Sequence, residues 1–375
     1  MSQFVKRDAP LRKDGSWISK DGLDEGIYKA AAKQGITVSM FLENMRSEAK
    51  SEQSIYQGMT QSEVMRTKRA LAKAGQAIPQ TAFEEALQMA GIKAFGSNTD
   101  NVSKFFELSD TDVLFPEFVS NRIGAGLLLT GLVNEFSMAE TVIPSEYYMK
   151  IYLDDVQDDR QLREVGKAEV FPETKIKVSS QSVRLVKYGR YITMAYEDIK
   201  YQRLNVFGKF MERIGMQIDI DRTDDMFYIL VNGDGNSNTP GTTVETATSG
   251  TIGVADLISW ANGAPSPYKI DKFAGKKALL NEYLVTLADF QNPIATWGFM
   301  GVDLPRSFEW DRSIMTTDYF VGVDSRYAVE HLTTGAIMTE SEKLIRAQVN
   351  GTAVSHCDGF SIFDKNAVAI FDETH

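Results

Sequence analysis

YEDIKYQRLNVFGKFMERIGMQIDIDRTDDMFYILV, residues 196–231, decides the architecture. It holds no proline and two glycines, Gly208 and Gly215. Phe207, Phe210, Met211, Ile214 and Ile218 recur at helical spacing, and the pattern continues to Phe227, Leu230 and Val231. One helix of ~36 residues would run roughly 54 Å, where the usual mean is ~11–12 residues. Asn232-Gly233-Asp234-Gly235 supplies the stop. A helix of this length in a mixed chain reads as a spine. Its polar face carries Asp219, Asp221, Asp224 and Asp225, with Arg213 and Arg222 nearby. A metal site is one reading of those aspartates; a solvated or subunit-facing charged face is the favoured one.

The segment before the spine reads as an extended hairpin. Tyr147, Met149, Ile151 and Leu153 alternate with polar or amphipathic residues, as a half-buried strand does. Ile176 and Val178, then Val183 and Leu185, mark a second strand whose phase slips around Ser179 to Ser182, which predicts a bulge. Between them Asp154 to Thr174 holds seven acidic and three basic residues. A two-stranded ribbon is marginal in water, and a ~20-residue irregular loop is uncommon inside a compact domain. Either this is a disordered acidic loop or it is an arm lying on a neighbouring subunit, the sharper of the two readings. The tip and the polar face of the spine give the inter-subunit contact candidates: Asp158, Asp159, Arg160, Arg163, Lys167, Asp221, Arg222 and Asp225.

Residues 1–104 differ in charge from the rest. They hold 15 basic and 12 acidic residues, whereas the remainder holds 25 and 39. A mildly basic segment thus precedes an acidic body, either as a segment with its own partner or as one more solvated helical region. Helices are expected over Gly22–Lys33, Val38–Lys50, Gln61–Lys73 and Gln80–Ala90. Each has few large apolar residues, so the group should dock on something rather than stand alone. A polar stretch, Gly96 to Lys104, reads as a linker.

Composition narrows the chemistry. The chain has 375 residues, 43% hydrophobic and 24% charged, which suits two or three domains with a sizeable core. A formal net charge of -11 disfavours a general nucleic-acid-binding surface. The longest apolar run, Ile123 to Val133, falls short of the ~20 residues a membrane helix needs. Met1 to Pro10 lacks the apolar region of a secretory signal. A single cysteine, Cys357, fits synthesis in a reducing compartment. His331, His356 and His375 have no metal-ligand spacing. His356 and Cys357 are neighbours, and on a strand they would point to opposite faces rather than form a nucleophile pair. Gly124-Ala125-Gly126 lacks the third glycine of a dinucleotide fingerprint, since Leu129 stands there. Asp234, Asn236, Asn238 and Glu245 fit a calcium loop, but Thr239 replaces its required glycine. No catalytic, cofactor-binding or metal-binding residue is assigned.

Phe115 to Arg122 is expected as a short helix, with Pro116 in its first turn. After the spine, Ala255–Asn262 and Lys272–Asp289 read as helical, Phe299–Leu304 and Ile314–Val323 as strand-like, and Leu344–Val349 and Ala367–Phe371 as strands. An inserted mixed domain, followed by a return, is the economical layout.

The order of these elements resembles that of tailed-bacteriophage major capsid proteins, the HK-ninety-seven-like fold. Local phrases resemble the family too: Leu114-Phe115-Pro116-Glu117, Lys187-Tyr188-Gly189-Arg190 leading to Tyr196-Glu197-Asp198, and Asn232-Gly233-Asp234-Gly235. Asp324-Ser325-Arg326-Tyr327-Ala328 and Thr339-Glu340-Ser341-Glu342-Lys343-Leu344-Ile345 follow. No phrase is a chemical motif; their order across Phe105 to Phe371 carries the likeness.

The resemblance implies an α+β fold with a long spine helix, an extended β-hairpin loop, an inserted axial domain and an N-terminal helical region. The implied layout is a scaffold-like or neighbour-docking region over 1–104, an N-terminal arm over 105–145 and an extended loop over 146–190. A peripheral domain over 191–249 and 326–375 would flank an axial domain over 250–325. The implied function is self-assembly into pentamers and hexamers of an icosahedral head in the virion, built in the bacterial host cytoplasm around double-stranded DNA. Portal, scaffold or decoration proteins would be partners, with no membrane and no enzymatic role. Some relatives lose a scaffold-like N-terminal segment to a protease, and some crosslink lysine to asparagine. Lys167 is the one lysine of the hairpin tip, and no crosslink is expected from it. An encapsulin-type compartment shares the fold, and a mixed α/β enzyme is the rival from another class.

Overall fold

The computed structural model describes residues 26–50, 53–59, 61–96, 98–106, 112, 114–130, 132–153, 164–165, 167, 176–233, 242–264, 267–288, 305–312, 315, 319–335, 337–344, 346 and 348–373. Four helices open the chain: α1 (Gly26–Gln34), α2 (Val38–Lys50), α3 (Gln61–Lys73) and α4 (Ala82–Met89). A 3-10 turn, Val102–Phe106, leads to α5 (Phe115–Thr130) and α6 (Leu132–Phe136). Strands β1 (Ser137–Val142), β2 (Tyr147–Leu153), β3 (Ile176–Arg184) and β4 (Val186–Ala195) follow. Then come α7 (Tyr196–Tyr201) and the long α8 (Leu204–Asn232). The remainder is β5 (Thr242–Glu245), α9 (Val254–Ala261), β6 (Lys272–Gly275), α10 (Lys277–Ala288), β7 (Arg306–Glu309), β8 (Tyr319–Val323), β9 (Val329–Thr333), β10 (Met338–Leu344), β11 (Val349–Ile362) and β12 (Val368–Asp372). The expected α+β architecture, with a spine and a hairpin before it, is present.

The chain divides into two compact units. The first comprises residues 1–131, 188–220 and 336–356. Its core joins Phe41, Leu42, Phe83, Leu87 and Phe105 to Phe115, Phe118, Leu204, Phe207 and Met211. The N-terminal helices therefore dock on their own chain, against α5 and the first half of α8. Thr81 caps α4 in a reciprocal capping box with Glu84. Glu117 of α5 accepts hydrogen bonds from the backbone N–H and hydroxyl of Ser39 in the first turn of α2. Gly96–Lys104, expected as a linker, is instead fastened: Val102 and Phe105 are buried, and Asn101 bridges to Arg203.

That bridge also corrects the spine. The 36 residues expected as one helix break at Gln202, whose backbone is extended. Gln202 accepts from the Val102 N–H at 2.9 Å, and the Leu204 N–H donates to Asp100 at 2.9 Å. Pairing with residues 100–102 outweighs two more residues of helix. α8 itself has 29 residues, about 44 Å. Gly233, at φ 89, ends it in the left-handed conformation. α5 runs eight residues past the expected Arg122, through Gly124 and Gly126. Gly126 lies against Gly215 of α8, so the glycine pattern serves a close helix crossing.

The second unit comprises residues 132–187, 221–335 and 357–375. Its five-stranded sheet has the order β5-β12-β8-β6-β7. β12 runs parallel to β5 and antiparallel to β8. Trp260, Phe273, Tyr283, Phe320 and Phe371 fill the core over this sheet. Phe320 and Phe371 stack with centroids 4.4 Å apart. Lys272–Gly275, expected as helix, is β6: its residues sit between two partner strands, and that buried position overrides local propensity. β11 spans fourteen residues and serves both units. Residues 349–355 pair with β10, and residues 358–362 pair with β9, which in turn pairs with β1.

Candidate assembly surface

The hairpin is built from its base. β2 and β3 pair with each other and with no other described strand. Their register shifts between Met149 and Ile151, where Met149 faces Ser182 and Ile151 faces Val178. The extra residues fall on β3, where the slipping hydrophobic phase placed them. One face of the base is anchored: Val183 and Leu185 pack with Ile143, Leu332, Tyr148 and Cys357. Burial, then the neighbouring Glu330 carboxylate, push the Tyr148 phenol up from its ordinary value. The other face is bare, with Tyr147 55% and Met149 64% exposed. Of the tip candidates, Asp158, Asp159, Arg160 and Arg163 lie outside the described residues, and Lys167 is exposed.

α8 presents different surfaces along its length. In the first unit Val206, Lys209, Phe210, Arg213 and Gln217 are exposed on one face, within a ~100° arc. The nearby acid Glu212 is buried and bound by Arg122 at 3.1 Å and Lys209 at 2.5 Å. In the second unit Asp221 is exposed and Asp225 half-buried. Arg222 turns inward, its Nε 2.5 Å from Asp358 Oδ2, and His331 Nε2 lies 3.0 Å from Asp358 Oδ1. Asp224 accepts from Trp310 Nε1 at 2.9 Å and from Arg312 Nε at 3.2 Å. Asp358, Trp310 and His331 lay far from the helix in sequence, so no periodicity announced these ties. His356 stacks on Tyr188, whereas Cys357 packs in the hairpin-base cluster. Of the calcium-loop residues, Asp234, Asn236 and Asn238 lie outside the described residues, and Glu245 is in β5.

A turn anchored by a buried carboxylate joins β8 to β9. Asp324 is 0% exposed. It accepts from the Lys269 N–H at 3.1 Å, from the Arg326 N–H at 3.2 Å and from Arg326 Nη2 at 2.7 Å. Burial alone would raise its pKa; the Arg326 and backbone hydrogen bonds prevail and hold it below the usual carboxylate value. Ser325 donates to Asp271 through both its N–H, at 2.7 Å, and its hydroxyl, at 2.6 Å. The phrase Asp324-Ser325-Arg326-Tyr327-Ala328 is thus a turn that locks strands together.

Residues 178–298, from within β3 through the hairpin's return, α8 and α10, match the family model described as phage capsid protein. Over that stretch the chain is similar to phage capsid proteins. Solved structures similar to the chain include the capsid of a native GTA particle, at 8% identity and TM-score 0.48, covering 66% of this chain and 91% of that one. The Gordonia phage Cozz structure is 14% identical with TM-score 0.43, covering 65% and 86%. The holo-SrpI encapsulin complex from Synechococcus elongatus PCC 7942 is 12% identical with TM-score 0.45, covering 66% and 88%. No curated protein matches the chain.

Proposed function

We propose that this chain is the major subunit of a tailed-phage head, assembling through pentamers and hexamers into an icosahedral shell around double-stranded DNA. The observation that carries the reading is the phage capsid match over residues 178–298, which contains most of the hairpin's return strand and the whole spine. The geometry supports it. A two-stranded ribbon is marginal alone, and this one exposes Tyr147 and Met149 on its free face. A neighbouring subunit that buries that face supplies the missing support. The exposed stripe of α8, apolar at Val206 and Phe210 and basic at Arg213, is a second surface for such contacts. Heterologous contacts of this kind close into rings when repeated by rotation.

The protein's role on this reading is structural, in the virion, with assembly in the host cytoplasm. Residues 146–190 act as the overlapping loop, 191–249 and 326–375 as the peripheral domain, and 250–325 as the axial domain. A net charge of -11 keeps the wall from adhering to packaged DNA. Residues 26–106 belong to the folded subunit, because they share its core with α5 and α8. Electron microscopy of the purified full chain tests the proposal. Closed icosahedral particles are expected, and a chain that stays monomeric at every concentration contradicts it. Particles filled with a protein cargo and free of DNA would assign it to an encapsulin-type compartment instead.

A further inference from the structure

The charge contrast between the N-terminal region and the body has a local source. Among the described residues of 26–106, ten are basic and six acidic. Four of the acids, Glu43, Glu84, Glu85 and Asp100, take salt bridges from Arg46, Lys50, Lys68 and Lys104. The other six cations, Lys29, Lys33, Arg66, Arg69, Lys73 and Lys93, are exposed. The positive surplus is therefore carried on the surface. Three of those six fall between Val64 and Phe83, a stretch without an acidic residue.

α3 divides its two faces by charge. Val64, Lys68 and Leu71 are half-buried on one side, and Lys68 reaches Glu84 of α4 at 2.7 Å. Arg66, Arg69 and Lys73 stand on the other, within a ~60° arc and over a rise of about 10 Å. Glu63, the helix's one acid, lies beside this arc. At ~0.15 M ionic strength, charges more than about 8 Å away are largely screened. The local surplus, rather than the net charge of -11, decides what this face attracts. A protein partner is ordinarily held by an apolar centre, and the arc has no large apolar side chain. Phosphate contacts need only cationic donors.

We propose that the exposed face of α3 holds the phosphate backbone of duplex DNA through Arg66, Arg69 and Lys73, without reading its sequence. Two guanidinium forks suit phosphate oxygens, and Lys73 adds a point charge one turn further on. Laid along the duplex, the stripe passes about three phosphates of one strand, at ~3.4 Å each. The inference stands on the charge distribution and needs no shell. On the shell reading it gives an otherwise acidic wall a basic contact for the duplex it encloses.

The test is fluorescence anisotropy of a labelled duplex of random sequence with the unassembled full chain, isolated by size. Binding should weaken with salt at a slope of about -2.7 in log K against log salt, from three neutralised phosphates at ~0.9 each. That is roughly a fortyfold loss between ~50 and ~200 mM salt. Arg66→Gln with Arg69→Gln and Lys73→Gln should abolish this dependence. Lys29→Gln with Lys33→Gln and Lys93→Gln removes the same charge elsewhere in the region and should leave the slope in place. If the α3 triple variant unfolds, Arg66→Gln alone should still take about 0.9 from the slope. An equal fall in both triple variants overturns the proposal, because general attraction then accounts for the binding. So does a duplex that fails to bind at ~50 mM salt. Poly-glutamate binding that the α3 variant loses, with duplex binding unchanged, also overturns it and makes the partner an acidic polypeptide. Any of these failures leaves the shell reading standing, and a failure to form particles leaves these outcomes unchanged.

Discussion

Gly126 on α5 and Gly215 on α8 face each other where the helices cross. A methyl group added at Gly215 would lie 2.1 Å from the Ile123 carbonyl oxygen, and one at Gly126 would lie 2.0 Å from that of Glu212. Backbone meets backbone on both sides, so no side chain can rotate away. Gly215→Ala should therefore cost at least about 2 kcal/mol, despite alanine's better helix propensity. Urea unfolding checks this. Gly189→Ala, whose added methyl meets nothing closer than 3.4 Å, serves as the tolerated control. Equal midpoints for the two variants would refute the crossing.

The N-terminal helices and the body share one core. Removing residues 1–106 strips Phe41, Leu42, Phe83 and Phe105 from Phe115, Phe118 and Phe207. The shortened chain is expected to be insoluble, whereas a removable scaffold would leave a stable body. Mass spectrometry of assembled particles should accordingly find subunits that retain residues 26–106.

Arg222 and Asp358 form a nearly buried pair, their side chains 13% and 2% exposed. Arg222→Ala leaves the buried carboxylate without its guanidinium partner, and should destabilise by about 3 kcal/mol. Arg222→Met combined with Asp358→Leu removes both charges and should cost less. Thermal unfolding of the two variants decides, and a milder single than double substitution would contradict the pairing.

Asp324 ties stability to pH. Its folded pKa is lowered from the ordinary 3.8. A lowered folded value means its contribution is complete above the unfolded pKa and disappears as pH falls through the folded one. Asp324→Asn should lower the melting temperature at neutral pH, and the gap from the unaltered chain should narrow in acid. A gap that stays constant from pH ~7 to pH ~2 would show that the Arg326 and backbone bonds do not act through the charge.

The spine, the hairpin and its bulge were legible because each rests on local periodicity: Phe207, Met211, Ile214 and Ile218 for the helix, Val178 and Val183 for the slipped strand. The break at Gln202 was not, because its cause is Asp100, a hundred residues away in the chain. β6 was misread as helix for the same reason, since its strand character comes from β7 and β8. Gly126 resembled part of a nucleotide motif until Gly215 explained it. Arg222 read as a surface charge on helical spacing alone, while its partner Asp358 lies on β11. Periodicity reports which face is apolar; it does not report what a polar side chain will meet.

The hairpin's bare face makes a claim about assembly. Met149→Asp should leave the unfolding free energy of the soluble subunit within about 0.5 kcal/mol of the unaltered chain's, as surface changes do. Its yield of closed particles should fall sharply, by light scattering. Unchanged particle yield would remove the hairpin from the contacts.

The most direct measurement is cryo-electron microscopy of the purified full-length chain. The account predicts closed icosahedral shells in which the hairpin of one subunit lies on the next. A uniform population of monomers, at concentrations where the chain is folded and soluble, would contradict it.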